Sequence, residues 1–135
     1  MGEPKHQGSC LCGKVELSIA KYNRNVVACH CTQCRKQTGH MVAAFNVLDS
    51  DLSITGKEHL KWYEASSDAK RGFCGECGSV LIWKANHTDN TSLMAGCMDS
   101  PTELKLVEHI FVADKGDYYE LNDGLPQDEG GGTVV

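Results

Sequence analysis

The chain has no long apolar run. No segment approaches the ~20 consecutive apolar residues that a membrane helix needs, and the first ten residues, MGEPKHQGSC, lack the apolar stretch of a secretory signal. His6 stands where N-myristoylation after Gly2 wants serine or threonine, so that anchor is not expected either. There is no lysine cluster and no basic stripe: 13 basic residues face 18 acidic ones, a formal net charge of −5. A nucleic-acid partner, which rewards a basic face, is therefore not expected, nor is a membrane partner. Without an export signal the expected location is cytoplasmic, where thiols stay reduced.

Against these absences stand eight cysteines. They fall as Cys10 and Cys12, then Cys29, Cys31 and Cys34, then Cys74 and Cys77, and last Cys97. Close spacing in groups of two and three, in a reducing compartment, points to metal rather than to disulfides.

At 135 residues the chain has the length of one domain. A chain of that size can bury ~68% of the surface its unfolded form exposes, enough for a core. Apolar residues at 41% and charged residues at 23% are ordinary for a globular protein. The pattern predicts a mainly β domain over 1–125 with little helix, followed by a flexible, glycine-rich tail over 126–135. KVELSIA alternates Val15, Leu17 and Ile19 inward against Glu16 and Ser18 outward, as a half-buried strand does. NVVACH, MVAAFNVL, HLKWYEA, KRGFC, SVLIWKA, TSLMAGCM and KLVEHIFV read as further short strands separated by turn residues. Only TQCRKQTG, after Cys31 and closed by Gly39, has helical character.

The cysteine groups differ in what they can close. Cys10 and Cys12 would point to opposite faces of a flat strand, so they converge on one ion only if the backbone turns, which Gly8 and Gly13 permit. Cys74-Gly75-Glu76-Cys77 has the spacing of a zinc knuckle. Joined, Cys10, Cys12, Cys74 and Cys77 make a closed four-sulfur tetrahedron, a structural zinc that contributes to folding. A redox dithiol at Cys74 and Cys77 is the weaker reading, because that motif opens a helix and apolar SVLIW follows here.

In CHCTQCRK, Cys31 and Cys34 share one face of a first helical turn and Cys29 precedes them at the end of a strand. Three sulfurs leave one position of a tetrahedron to a distant residue, to water or to substrate, and the last is the arrangement of catalytic zinc. Cys97 could complete the set, but in the apolar run LMAGCM a lone cysteine reads more simply as a small buried hydrophobe. His30 is the candidate acid or base, with His40 and His109 in competition, and Arg35 and Lys36 are candidates for holding an anionic substrate.

GSCLCGKVEL, CHCTQCRKQTG, FCGECGSVL and AGCMDSP, in this order and spacing, resemble the glutathione-dependent formaldehyde-activating enzymes, a family that includes the centromere-protein-V-like proteins. The resemblance runs from about Gly8 to Tyr119. It implies a β-tent fold with two zinc ions: a structural one on Cys10, Cys12, Cys74 and Cys77, and a catalytic one on Cys29, Cys31 and Cys34. It also implies a carbon–sulfur lyase reaction, with the adduct of formaldehyde and glutathione as the named case and a small-molecule thiol as partner. Two departures stand out. The family's Gly-x-Leu-Asp is Gly96-Cys97-Met98-Asp99 here, which puts Cys97 where no ligand is expected, and Tyr118-Tyr119 replaces a frequent tryptophan. The rival expectation is a non-catalytic interaction module with both zinc sites structural. A domain that senses thiol oxidation is a third. A cleft beside Cys29, Cys31 and Cys34 separates the enzyme from the module.

Overall fold

The computed structural model describes residues 5–132. In chain order its regular elements are β1 (His6–Ser9), β2 (Glu16–Ile19), β3 (Arg24–Cys29), α1 (Thr32–Thr38), β4 (Val42–Leu48), β5 (Leu52–Thr55), β6 (Leu60–Glu64), β7 (Ala69–Cys74), β8 (Val80–Ala85), β9 (Asn90–Met94) and β10 (Leu106–Ile110). The fold is mainly β, with α1 as the α-helix among the described residues and short 3-10 turns between strands. None of these helices is long and apolar enough to cross a membrane.

Two sheets form. The smaller is β1-β2-β5, all antiparallel, and the larger runs β10-β3-β4-β9-β8-β7-β6. Alternation decides which side chains go between them. Val15, Leu17 and Ile19, the residues of KVELSIA that the period-2 pattern points inward, are all essentially inaccessible. They belong to one core with Val26, Phe45, Val47, Leu81, Ile82 and Leu93 from the larger sheet. The opposite face of the larger sheet carries Val27, Cys29, Val42, Ala44, Ser92, Trp83 and Arg71, and this is where the pocket lies.

Three departures from the sequence reading bear on the site. β5 was not among the expected strands: LSIT offers four residues, too few to show a period of its own, and it is ordered by pairing with β2. TSLMAGCM is strand only to Met94, after which Ala95–Cys97 turns as a 3-10 helix. Gly8 of β1 lies against this turn so closely that a Cβ there would meet the Cys97 carbonyl oxygen at 2.4 Å. Finally, the segment after Leu125 docks. The His109 N–H donates to the Pro126 carbonyl (2.9 Å), the Asp128 N–H to the His109 carbonyl (2.9 Å) and the Phe111 N–H to the Gly130 carbonyl (2.7 Å). Residues 126–130 thus complete the β10 edge, where a flexible tail was expected; Thr133–Val135 lie outside the described residues. β10 itself pairs parallel with β3, joined by no βαβ unit, and so carries the chain back beside Cys29.

Candidate metal centres and pocket

Cys10 and Cys12 converge because the chain turns between them. The Gly13 N–H closes back on the Cys10 carbonyl (3.1 Å), and Gly13 sits at φ +82°, a conformation that L side chains rarely adopt. Cys74 ends β7 and Cys77 follows in the turn to β8. All four Sγ atoms lie within 4.8 Å of one another, with Cys10 to Cys12 at 3.6 Å and Cys12 to Cys74 at 3.8 Å. Sulfurs at the corners of a tetrahedron with Zn–S bonds of ~2.3 Å stand about 3.8 Å apart, so this donor set fits a tetrahedral ion. Backbone amides already face the sulfurs: Val15 N–H donates to Cys10 Sγ (3.3 Å) and Glu76 N–H to Cys74 Sγ (3.4 Å), fixing their orientation.

The second group is built at the junction of β3 and α1. Cys29 ends the strand, Cys31 is the N-cap of α1, and Cys34 is buried on the helix's inner face. Cys31 takes the role usually filled by serine or threonine, its Sγ accepting the Cys34 N–H at 3.3 Å. The three Sγ atoms also lie within 4.8 Å of one another, and among the described residues no fourth histidine, cysteine or carboxylate joins them. Hydrogen bonds from Cys29 and then Cys34 hold the Cys31 thiol down to about 2, while Cys31 pushes Cys29 far above the ordinary thiol range. Three sulfurs this close resist ionising together, and a divalent cation among them would let all three ionise. Cys97 belongs to neither group. Its thiol points at the Val80 carbonyl (3.6 Å), and burial pushes it up to about 11.

Beside the triplet lies a pocket of about 420 Å³. Its floor is Val27, Val42 and Ala44, with Trp83 and Ser92 beyond; α1 walls one side, and Ile110, Phe111 and Asp114 wall another. Two arginines reach it, and neither was singled out in the sequence. Arg71, 3% exposed, donates through Nε and Nη2 to Gln33 Oε1 (3.0 and 2.7 Å) and through Nη2 to Cys34 Sγ (3.4 Å). No carboxylate among the described residues pairs with it, so its charge is set against the sulfurs. Arg24 lies half-buried on the opposite flank, its Nη1 on the carbonyls of Asn25 (2.9 Å) and Ala44 (3.3 Å).

The three residues expected to carry chemistry or substrate charge do not line this pocket. Lys36 is exposed on the outer side of α1. Arg35 donates from Nε to the Asp114 carbonyl (3.2 Å) and so ties α1 to the opposite wall. His30, between Cys29 and Cys31, alternates away from them into the interior and is fully buried. The Asp123 carboxylate accepts from Nε2–H of His109 (2.7 Å), which leaves His109 Nδ1 to accept from Nε2–H of His30 (2.9 Å). His30 Nδ1 then accepts the Tyr119 hydroxyl, so both of its nitrogens are engaged. Burial, with His109 adding to it, pushes His30 down to about 4, and the imidazole is neutral. This line of side chains braces the backbone that carries Cys29 and Cys31. Replacing His109 with phenylalanine leaves the His30 N–H buried without a partner and is expected to cost about 1–3 kcal/mol, read as a lower urea midpoint at an unchanged slope. His40, the third histidine considered, is exposed and bonded to the Tyr118 hydroxyl (2.6 Å).

Fold and site together define a mainly β protein with two cysteine clusters able to hold metal, one of them facing a pocket. Residues 5–114 match the family model of the glutathione-dependent formaldehyde-activating enzyme, and the chain belongs to that family. It is 26% identical over 119 residues to an uncharacterized lyase of Schizosaccharomyces pombe, covering 87% of this chain and 86% of that protein. A crystal structure of a Rhodobacter sphaeroides protein is similar with a TM-score of 0.57 and 25% identity, over 70% of this chain and 88% of that one.

Proposed function

We propose that this protein is a zinc-dependent carbon–sulfur lyase that interconverts a thiol–aldehyde adduct, of the kind of S-hydroxymethylglutathione, with the free thiol and aldehyde. The observation that carries this reading is the contrast between the two clusters: four sulfurs close one site, whereas three sulfurs face a pocket in the other. Membership of the formaldehyde-activating family and the likeness to a lyase support it. Cys10, Cys12, Cys74 and Cys77 would hold a structural zinc, and Cys29, Cys31 and Cys34 a catalytic one. A zinc ion on the triplet supplies Lewis acidity toward sulfur or oxygen.

The chain's own residues provide the rest. In the cleaving direction the C–S bond breaks with its electron pair going to sulfur, the adduct hydroxyl loses its proton, a C=O forms, and the proton ends on the departing thiolate. Asp114, exposed at the rim with its backbone carbonyl on Arg35 Nε, is the one carboxylate-bearing residue among those lining the pocket and is assigned the hydroxyl proton. Arg71, held by Gln33 against Cys34, stabilises negative charge as it gathers on sulfur. The apolar floor excludes water from the adduct.

The test follows aldehyde release from S-hydroxymethylglutathione with the zinc-loaded protein. Turnover above the uncatalysed rate is expected, with a loss of about 10²-fold or more in kcat for Asp114→Asn. Two tightly bound zinc ions with no turnover of any thiol adduct would overturn the enzyme in favour of an interaction module.

A further inference from the structure

Of the two arginines that line the pocket, Arg24 keeps more donors for a ligand: Arg71 spends Nε and Nη2 and keeps Nη1. Arg71 is engaged with Gln33 and Cys34, whereas Arg24 uses Nη1 only, on two backbone carbonyls. A guanidinium has five N–H donors, and no carboxylate among the described residues lies within ion-pair distance of Arg24. Its placement follows from a bulge. Strict alternation would set Arg24 on the opposite face from Val27 and Cys29, but the β3–β4 register shifts between Arg24 and Val27 and brings all three to the pocket.

The Arg24 head reaches the Ala44 carbonyl, and Ala44 is the register partner of Val27. The cation therefore stands at the level of Val27, two residues along the strand from Cys29. At about 3.3 Å per residue, the backbone level that the guanidinium reaches lies roughly 7 Å along the strand from that of Cys29. Val27, Val42 and Ala44 surface this interval without a polar side-chain atom. Ser92 Oγ accepts from Asn46 Nδ2 (3.1 Å), and the Gln33 carbonyl oxygen is taken by Arg71.

We propose that the thiol component of the substrate is a short aliphatic mercapto acid, its carboxylate on Arg24 and its three- or four-carbon body on Val27, Val42 and Ala44. This rests on the lyase reading and narrows it. The body of a tripeptide thiol carries two amides and an ammonium group, for which Val27, Val42 and Ala44 have no partners, so that only wall residues such as Thr32 and Asp114 are left to meet them. Buried without partners they weaken binding, whereas methylenes gain from the same contact. The cavity, at about 420 Å³, lies toward the small end of small-molecule sites.

The experiment holds the aldehyde constant. Formaldehyde adducts of 3-mercaptopropionate, 4-mercaptobutanoate, 3-mercaptopropanol and glutathione are compared by kcat/KM, and the free thiols by calorimetric titration of the zinc-loaded protein. The expected order places the two mercapto acids at least tenfold ahead of both glutathione and the uncharged mercaptopropanol. Arg24→Met is expected to bring the acid-to-alcohol ratio close to one, and Arg24→Lys to restore part of it, which a merely misfolded variant would not do. Glutathione equal to or ahead of the mercapto acids, or an acid-to-alcohol ratio indifferent to Arg24→Met, would overturn the proposal. Absence of turnover with every adduct would overturn the lyase reading alone, because the order of thiol affinities still decides the substrate class.

Discussion

A Cys34→Ser protein is expected to fold, to hold one zinc in place of two, and to lose about three orders of magnitude in turnover. The sulfur is buried on α1, but its apolar neighbours are Val42, Ala44 and Met94, apart from the main core around Leu17, Phe45 and Leu93. Serine is nearly the same size, and it leaves in place the N–H of residue 34 that Cys31 accepts as helix cap. Arg71 loses a sulfur partner and keeps two bonds to Gln33, so its guanidinium is not stranded. Local folding therefore survives. Two sulfurs no longer suffice to hold an ion against water, and Lewis-acid assistance worth several kcal/mol goes with it; at 1.36 kcal/mol per tenfold, about 4 kcal/mol is the thousandfold loss. Elemental analysis, far-UV circular dichroism and initial rates on one preparation check all three parts. Wild-type turnover from a protein holding a single zinc would remove the triplet from the chemistry.

The same geometry explains which parts of the site could be read from the chain and which could not. The cysteine groups were legible because metal ligation is encoded in spacing: a turn at Gly13 and one helical turn after Cys31 suffice to gather the sulfurs. Val15, Leu17 and Ile19 were legible because strict alternation survives in β2. The substrate-facing residues were not. Arg71 occupies a position in KRGFC where a cation reads as solvent-facing, and its burial comes with the Gln33 and Cys34 side chains that α1 brings to it from far along the chain. Arg24 was hidden by a bulge that reverses parity, which no local pattern announces. Asp114 comes from a turn that residues 126–130 hold against the β10 edge, through Phe111 and Val112 N–H bonds to Gly130 and Asp128. Proximity in sequence misled in the case of His30. A residue between two cysteines on an extended segment faces away from both, and its ring completes the line to His109 and Asp123.

The largest loss is expected at the closed site, from Cys74→Ala. Cys74 is fully buried at the end of β7, its sulfur 3.8 Å from Cys12, and β7 pairs with β6 on one side and β8 on the other. A zinc on these four sulfurs joins the turn after β1 to the turn between β7 and β8, ends that the chain would otherwise have to bring together unaided. Structural zinc contributes about 10–16 kcal/mol in small zinc-dependent peptides. A domain of ordinary stability has about 5–15 kcal/mol in total. Even a fraction of the first exceeds much of the second, so the variant is expected to show no cooperative melt at 25 °C, and wild type stripped by a strong chelator is expected to behave the same way. Cys97→Ala is the internal control. That thiol touches the same core and ligates nothing among the described residues, so it should cost no more than about 2 kcal/mol, the loss of a small buried group. If Cys74→Ala melts as cooperatively as Cys97→Ala, the sheet-to-sheet core around Leu17 and Phe45 holds the fold alone. The four-sulfur site would then not be structural, and the division of labour between the two clusters would have to be reversed.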